Sequence, residues 1–218
     1  MIKYISSCLI ILLSIIANGQ DSTKVKYITT DGLGLSFGLL YGQLHAKGTA
    51  AFNPSTGDLM KQNPVSRPGI STAILYEFGK PILTWRLGAE AQFLYTYLAY
   101  EKKNDDKYEA YIHPVTINVP FTATYHLQRK PQISFGFGPS FSIPLSQFSS
   151  ERPANTNFNT YLDFILSKKI HTGKNIMHIE LGFALGLYNM IDPDAADAYT
   201  LVVDEVKRNV FSLKFYFN

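Results

Sequence analysis

Residues 82–100 read ILTWRLGAEAQFLYTYLAY, and their pattern decides the fold. Taken in steps of two, Leu83, Trp85, Leu87, Ala89, Ala91, Phe93, Tyr95 and Tyr97 share one face. Thr84, Arg86, Gly88, Glu90, Gln92 and Thr96 share the other. Side chains alternate across a strand, so the stretch reads as one long strand with an apolar and a polar face. A helix would put Arg86 and Glu90 beside Ala89 and Phe93 and would leave no clean apolar stripe. Charges and a glycine on one face, with aromatics towards both ends of the other, is the pattern of a membrane-spanning barrel strand.

Seven further stretches repeat the alternation: 33–42, 70–78, 111–127, 133–143, 158–167, 177–188 and 211–217. In each, bulky residues such as Leu35, Phe37, Phe135, Phe137, Leu181 and Phe215 alternate with small or polar ones. The connections at 79–81, 128–131 and 172–175 are short and rich in Gly, Pro and Lys, whereas 43–65, 101–110, 147–156 and 189–205 are longer and polar. Short turns at one end and long loops at the other define an all-β, eight-stranded, antiparallel up-and-down transmembrane barrel. The short turns are expected on the periplasmic side and the long loops outside the cell. A soluble eight-stranded barrel would instead point its large apolar residues inward. Trp85, Tyr125, Phe78 and Phe217 are expected in the periplasmic aromatic belt, and Tyr41, Tyr95 and Tyr111 in the outer one.

Residues 1–20 read as a secretory signal peptide, with Lys3 ahead of an apolar run from Cys8 to Ile16 and cleavage after Gly19 or Gln20. Residues 21–218 then form one outer-membrane barrel domain. Cys8 is the single cysteine, so the mature chain carries no thiol or disulfide. No later segment is apolar enough for a membrane helix. The net charge of +3 is dispersed, and no basic stripe points to nucleic acid.

Residues 113–146, HPVTINVPFTATYHLQRKPQISFGFGPSFSIPLS, resemble a signature of the PorT-like family of outer-membrane β-barrel proteins of Gram-negative envelopes. Asn118-Val119-Pro120-Phe121 through Tyr125 matches the first strand of that signature, Lys130-Pro131 its turn, and Gly138-Pro139 its second strand. Asn118 stands where an acid is common and Thr124 where Lys is common. The resemblance implies an envelope location and, through the family's eponymous member, a link to protein secretion. Pro120 lacks a ladder donor, so a bulge facing the lumen is expected there, and a similar one at Pro139.

The five histidines, His45, His113, His126, His171 and His178, lie in no zinc-type spacing. His126 and His178 are expected to fill the lumen near the periplasmic end. His113 is expected near the outer rim on the lipid-side parity. No nucleophile elbow, phosphate loop or dinucleotide fingerprint is present. Asp192, Asp194 and Asp197 lack the spacing of an EF-hand and read as a solvated loop. No catalytic, cofactor-binding or metal site is therefore assigned.

Strand parity sends Glu77, Arg86, Glu90, Asp163, Lys169, Glu180 and Lys214 inward. Counting from the short turns puts Glu77 and Arg86 at similar depth on adjacent strands, Lys169 diagonal to Glu180, and Lys214 on the next strand. Unpaired charges in so narrow a lumen are costly, so a paired network that plugs the barrel is expected. The expected partners are membrane lipids and lipopolysaccharide, whose phosphates Lys47, Lys61, Arg67, Lys102, Lys103 and Lys107 could touch, together with an envelope protein. A monomer is expected. The function expected is a non-enzymatic structural or accessory one. Its rivals are a lipid A-modifying enzyme using His113 with a loop serine, and a narrow solute channel. On this reading the mature chain should sediment with outer membranes and run at different positions on gels before and after boiling. Complete release by carbonate would refute a barrel.

Overall fold

The computed structural model describes residues 31–47, 51–52, 59–101, 107–127, 132–145, 158–172, 175–190 and 205–217. The signal-peptide segment, the acidic loop residues Asp192, Asp194 and Asp197, and Lys102 and Lys103 lie outside them. The strands in chain order are β1 (Gly32–Lys47), β2 (Ala51–Phe52), β3 (Leu59–Val65), β4 (Arg67–Lys80), β5 (Leu83–Leu94), β6 (Tyr97–Glu101), β7 (Lys107–Tyr111), β8 (Val115–His126), β9 (Ile133–Pro144), β10 (Asn159–Thr172), β11 (Asn175–Gly186) and β12 (Glu205–Phe217). Eight of them close an antiparallel barrel in the order β1-β12-β11-β10-β9-β8-β5-β4. The seam is a long one, from Leu35 opposite Phe217 to Lys47 opposite Glu205.

The barrel is inside out relative to a soluble one. Leu35, Phe37, Leu39, Ile70, Ile74, Phe135 and Phe137 are among many large apolar side chains exposed on the wall. Ser36, Ser71, Glu77, Arg86, Glu90, Thr122, Ser140 and Glu180 are buried inside. A continuous apolar belt of that kind would aggregate in water, and it fits a hydrocarbon surrounding. Across four neighbouring strands the belt carries a ladder of rings, with Phe137, Phe164, Phe183 and Phe211 spaced 5.2, 6.3 and 4.9 Å apart. Such cross-strand aromatic contacts hold register on the lipid face.

At the short-turn end Trp85, Tyr125 and Phe217 are exposed, with Phe78 directly opposite Trp85. Tyr95 is exposed at the long-loop end, and Tyr41 stands there opposite Pro68. Tyr111 belongs to β7 and packs on Tyr97, 5.3 Å away, beyond the barrel wall.

Several expectations need correction. Residues 82–100 form two strands, not one. At the break the Thr96 N–H donates to Leu94 O (3.0 Å), a one-residue reversal. On the facing strand Pro114 has no N–H to give and His113 takes a positive φ of 43°. The pair therefore bends without losing count, since Phe93 faces Val115 below the bend and Tyr97 faces Tyr111 above it. Beyond it, β6 and β7 join β2 and β3 in a four-stranded sheet, so parts of 43–65 and 101–110 are regular, not irregular. Tyr97 is buried where exposure was expected, and Tyr188 is 61% exposed because β11 ends at Gly186. The last strand starts at Glu205, well before Phe211. At Pro120 no residue is inserted. Leu87 faces Phe121 and Glu90 faces Asn118, so two residues oppose two. Pro139 likewise keeps register opposite Leu162.

Trp85 lies two residues into its strand from the short turn. Quenching of its fluorescence should be stronger with lipids brominated near the headgroup than with lipids brominated at the acyl-chain ends. The reverse order would place this end of the barrel at the wrong depth.

Candidate functional site

The polar residues of the lumen assemble into layers, and Arg86 on β5 is the centre of the first. Its Nη2 lies 3.3 Å from Glu77 Oε2 on β4, its register partner. Its Nη1 lies 2.7 Å from Glu180 Oε1 on β11. In the barrel order β5 and β11 are diametrically opposed, so this ion pair spans the lumen. The guanidinium also sits over the Tyr216 ring, 4.3 Å from its centroid, and His178 meets that ring edge-on at 5.5 Å. The ring fits because a Cβ at Gly34, on the neighbouring strand, would run into it. All three charged groups are almost wholly buried, with side chains 3–4% exposed. Such paired carboxylates offset the cost of burying a guanidinium's charge.

Below this layer, towards the short turns, Thr84 Oγ1 donates to Glu77 Oε1 (2.8 Å) and lies 2.8 Å from His126 Nε2. His126 Nδ1 is 2.7 Å from Ser134 Oγ. Serine, histidine and glutamate thus stand in a row. Ser134 is 4% exposed, however, and Glu77 is engaged by Arg86, so the row works as a hydrogen-bonded chain closing the mouth. Lys169 is half-buried opposite His178 and forms no ion pair with another described residue.

Above Arg86, Lys214 Nζ on β12 lies 2.6 Å from Glu90 Oε1 on β5. Asp163 on β10 shares the field of Lys214 and takes a hydrogen bond from Ser140. Lys169 does stand diagonal to Glu180, as counting from the turns placed it, and Lys214 directly opposite, but Glu180 pairs with Arg86 and Lys214 with Glu90. The residual cavity among these groups measures about 50 Å³. That is room for a few water molecules at about 10–15 Å³ each.

The upper end is closed by Leu40, Leu94, Tyr161 and Val210, packed together and flanked by Ala184. Arg208 lies over them at 1% exposure. It donates to Tyr161 Oη (3.3 Å), to Ile112 O (3.2 Å) and to His113 O (3.2 Å). It thereby ties β12 to β10 and to the bend before β8. Arg208, Tyr161 and Tyr216 were not singled out by the sequence reading. The clue for Arg208 was available, since Tyr216, Lys214, Ser212, Val210 and Arg208 share one parity. Val206 and Val210 broke the polar-inside pattern and hid the start of the strand.

His113, expected on the lipid side, is buried at 2% exposure. His45 is exposed and contacts Asn209 (3.2 Å), and the His171 side chain lies outside the described residues. Among the described residues no three metal-ligating side chains come together.

No protein-family model and no curated protein matches the chain. Among solved structures it is similar to the outer-membrane protein OprG from Pseudomonas aeruginosa, at 11% identity, covering 85% of this chain and 95% of that one with a TM-score of 0.48.

Stranding the two carboxylates should be worse than removing them. Arg86→Met should destabilise the barrel by about 3–5 kcal/mol. The triple variant Glu77→Gln/Arg86→Met/Glu180→Gln should lose distinctly less. Pairing Arg86 with Glu77 alone, as sequence counting implied, leaves Glu180 uncompensated. Urea unfolding in detergent micelles checks the order, and a triple variant weaker than the single one would refute it.

Proposed function

We propose that this chain is a small, monomeric, non-enzymatic barrel of a Gram-negative outer membrane, exported by a cleaved signal peptide, with a structural or accessory role in the envelope. The observation that carries this reading is the Arg86–Glu180 ion pair across the full lumen, reinforced by Glu90–Lys214 and capped by Arg208. These contacts are interlocked, and they support a solid barrel over a conduit. Burial of His113, with its carbonyl accepting from Arg208, gives a lipid A-modifying activity no support.

The sheet β2-β3-β6-β7, carried at the long-loop end, is the surface through which the barrel would meet an envelope partner. The Pro120 and Gly138-Pro139 elements of the PorT-like resemblance lie side by side in the wall, with Pro120 opposite Ser140. A Cβ at Gly138 would collide with the Phe121 carbonyl, so that motif serves close strand approach. The link of the proposed accessory role to secretion comes from the PorT-like resemblance alone.

Planar-bilayer recording tests the reading. Purified protein that has passed the gel-shift test for folding should give no steady conductance. Large, long-lived single-channel openings from the wild-type protein would overturn it in favour of a channel.

A further inference from the structure

Shear brings two lumen carboxylates to one level. Followed pair by pair from Tyr41 through Phe211, Phe164 and Trp85 to Phe78, the ladder meets β1 again at Asp31, ten residues below its start. Spread over eight strands, that shear lifts the ladder by about 1.25 residues at each step from β5 towards β10. Glu90 faces Asn118, Asn118 faces Ser142, and Ser142 faces Asn159. Asp163 lies four residues below Asn159 on β10, and the three steps lift the ladder by about four residues. Glu90 and Asp163 therefore stand level, and Asp163 feels the field of Glu90. Asn118 and Ser140 occupy the arc between them.

These groups border the cavity of about 50 Å³ together with Glu180, Arg86 and Lys214. Its wall thus holds three carboxylates and two cations, one negative charge in excess. Lys214 is paired with Glu90, and Arg86 with Glu180. Asp163 accepts from Ser140 and forms no ion pair with another described residue. Arg86 also serves Glu77, whose field reaches Lys169 at the short-turn mouth. Arg208 stands beyond the apolar cap of Leu40, Leu94, Tyr161 and Val210, so neither it nor Lys169 lines the cavity. Asn118 is 5% exposed, and its Oδ1 has no hydrogen-bond donor among the described residues. A buried carbonyl oxygen left alone is costly, and a buried charge more so.

We propose that the cavity is a site for one monovalent metal cation of sodium's kind, held among Asp163, Glu90 and Asn118 Oδ1. Hard cations take oxygen ligands, and these three side chains present oxygens at one level. A single surplus negative charge selects a single positive one, and a divalent ion would call for more carboxylates. The space admits the ion with part of its water shell. Water alone would serve Asn118 but leave the charge of Asp163 uncompensated. The proposal rests on the filled lumen and not on the accessory role, so a different envelope role would leave it intact.

Refolding from urea into detergent micelles lets the cavity close around whichever cation is supplied. The probes are sodium chloride and N-methylglucamine chloride at one ionic strength, the second cation being too large for about 50 Å³. Wild-type protein should unfold at a higher urea concentration in sodium chloride. Once the site is near saturation, a tenfold rise in sodium should favour the folded state by up to about tenfold, equivalent to about 1.4 kcal/mol. Asp163→Asn, which keeps the shape and removes the surplus charge, should abolish the difference between the two salts. Asn118→Leu, which removes the orphaned oxygen, should weaken it and serves as the variant if Asp163→Asn loses its gel shift. Equal unfolding midpoints of the wild-type protein in the two salts would overturn the site, since water or a proton on Asp163 would then suffice. So would a sodium dependence that survives unchanged in the variants.

Discussion

Hydrocarbon offers no partner to a backbone N–H or C=O, so a sheet that crosses it must close on itself. The pairing of β1 with β12 meets that demand, and the rest of the structure follows from it. Closure with eight strands leaves a lumen only wide enough for side chains. The faces are then divided by strand parity. Leucine, isoleucine and phenylalanine point at lipid, and the glycines, hydroxyls and charges are confined to a lumen they nearly fill.

The lumen resolves that confinement by reaching across the barrel. Neighbouring strands supply Glu77 and Arg86, but the second carboxylate for Arg86 comes from the opposite wall. Lys214 and Glu90 repeat the device one layer higher. Arg208 is handled differently. Its partners here are the Tyr161 hydroxyl on β10 and the Ile112 and His113 carbonyls made available where the chain bends before β8. The bend that leads into β8 thus also supplies two of the acceptors that cap the lumen.

Two irregularities set the character of the long-loop end. The bend at Thr96 and His113 carries β6 and β7 out of the wall, and the bulge at residues 66–68 sets Arg67 against Tyr97. The bend keeps the residue count, whereas the bulge shifts it by one. Such a shift has large consequences in a sheet, because one residue exchanges its two faces.

The strand count, the antiparallel up-and-down order, the inside-out polarity and the membrane setting were legible in the sequence, because a period of two is a local property. Register at the short turns was legible as well, so Glu77 and Arg86 could be placed side by side. Which charge meets which across the lumen was not, since β5 and β11 are far apart in the chain and become neighbours only through closure. Arg208 escaped because valines share its inward face, and the bend at Thr96 escaped because alternation runs on through it. Periodicity records which face a residue occupies. Only the closed barrel, with its shear and its interruptions, decides what that face meets.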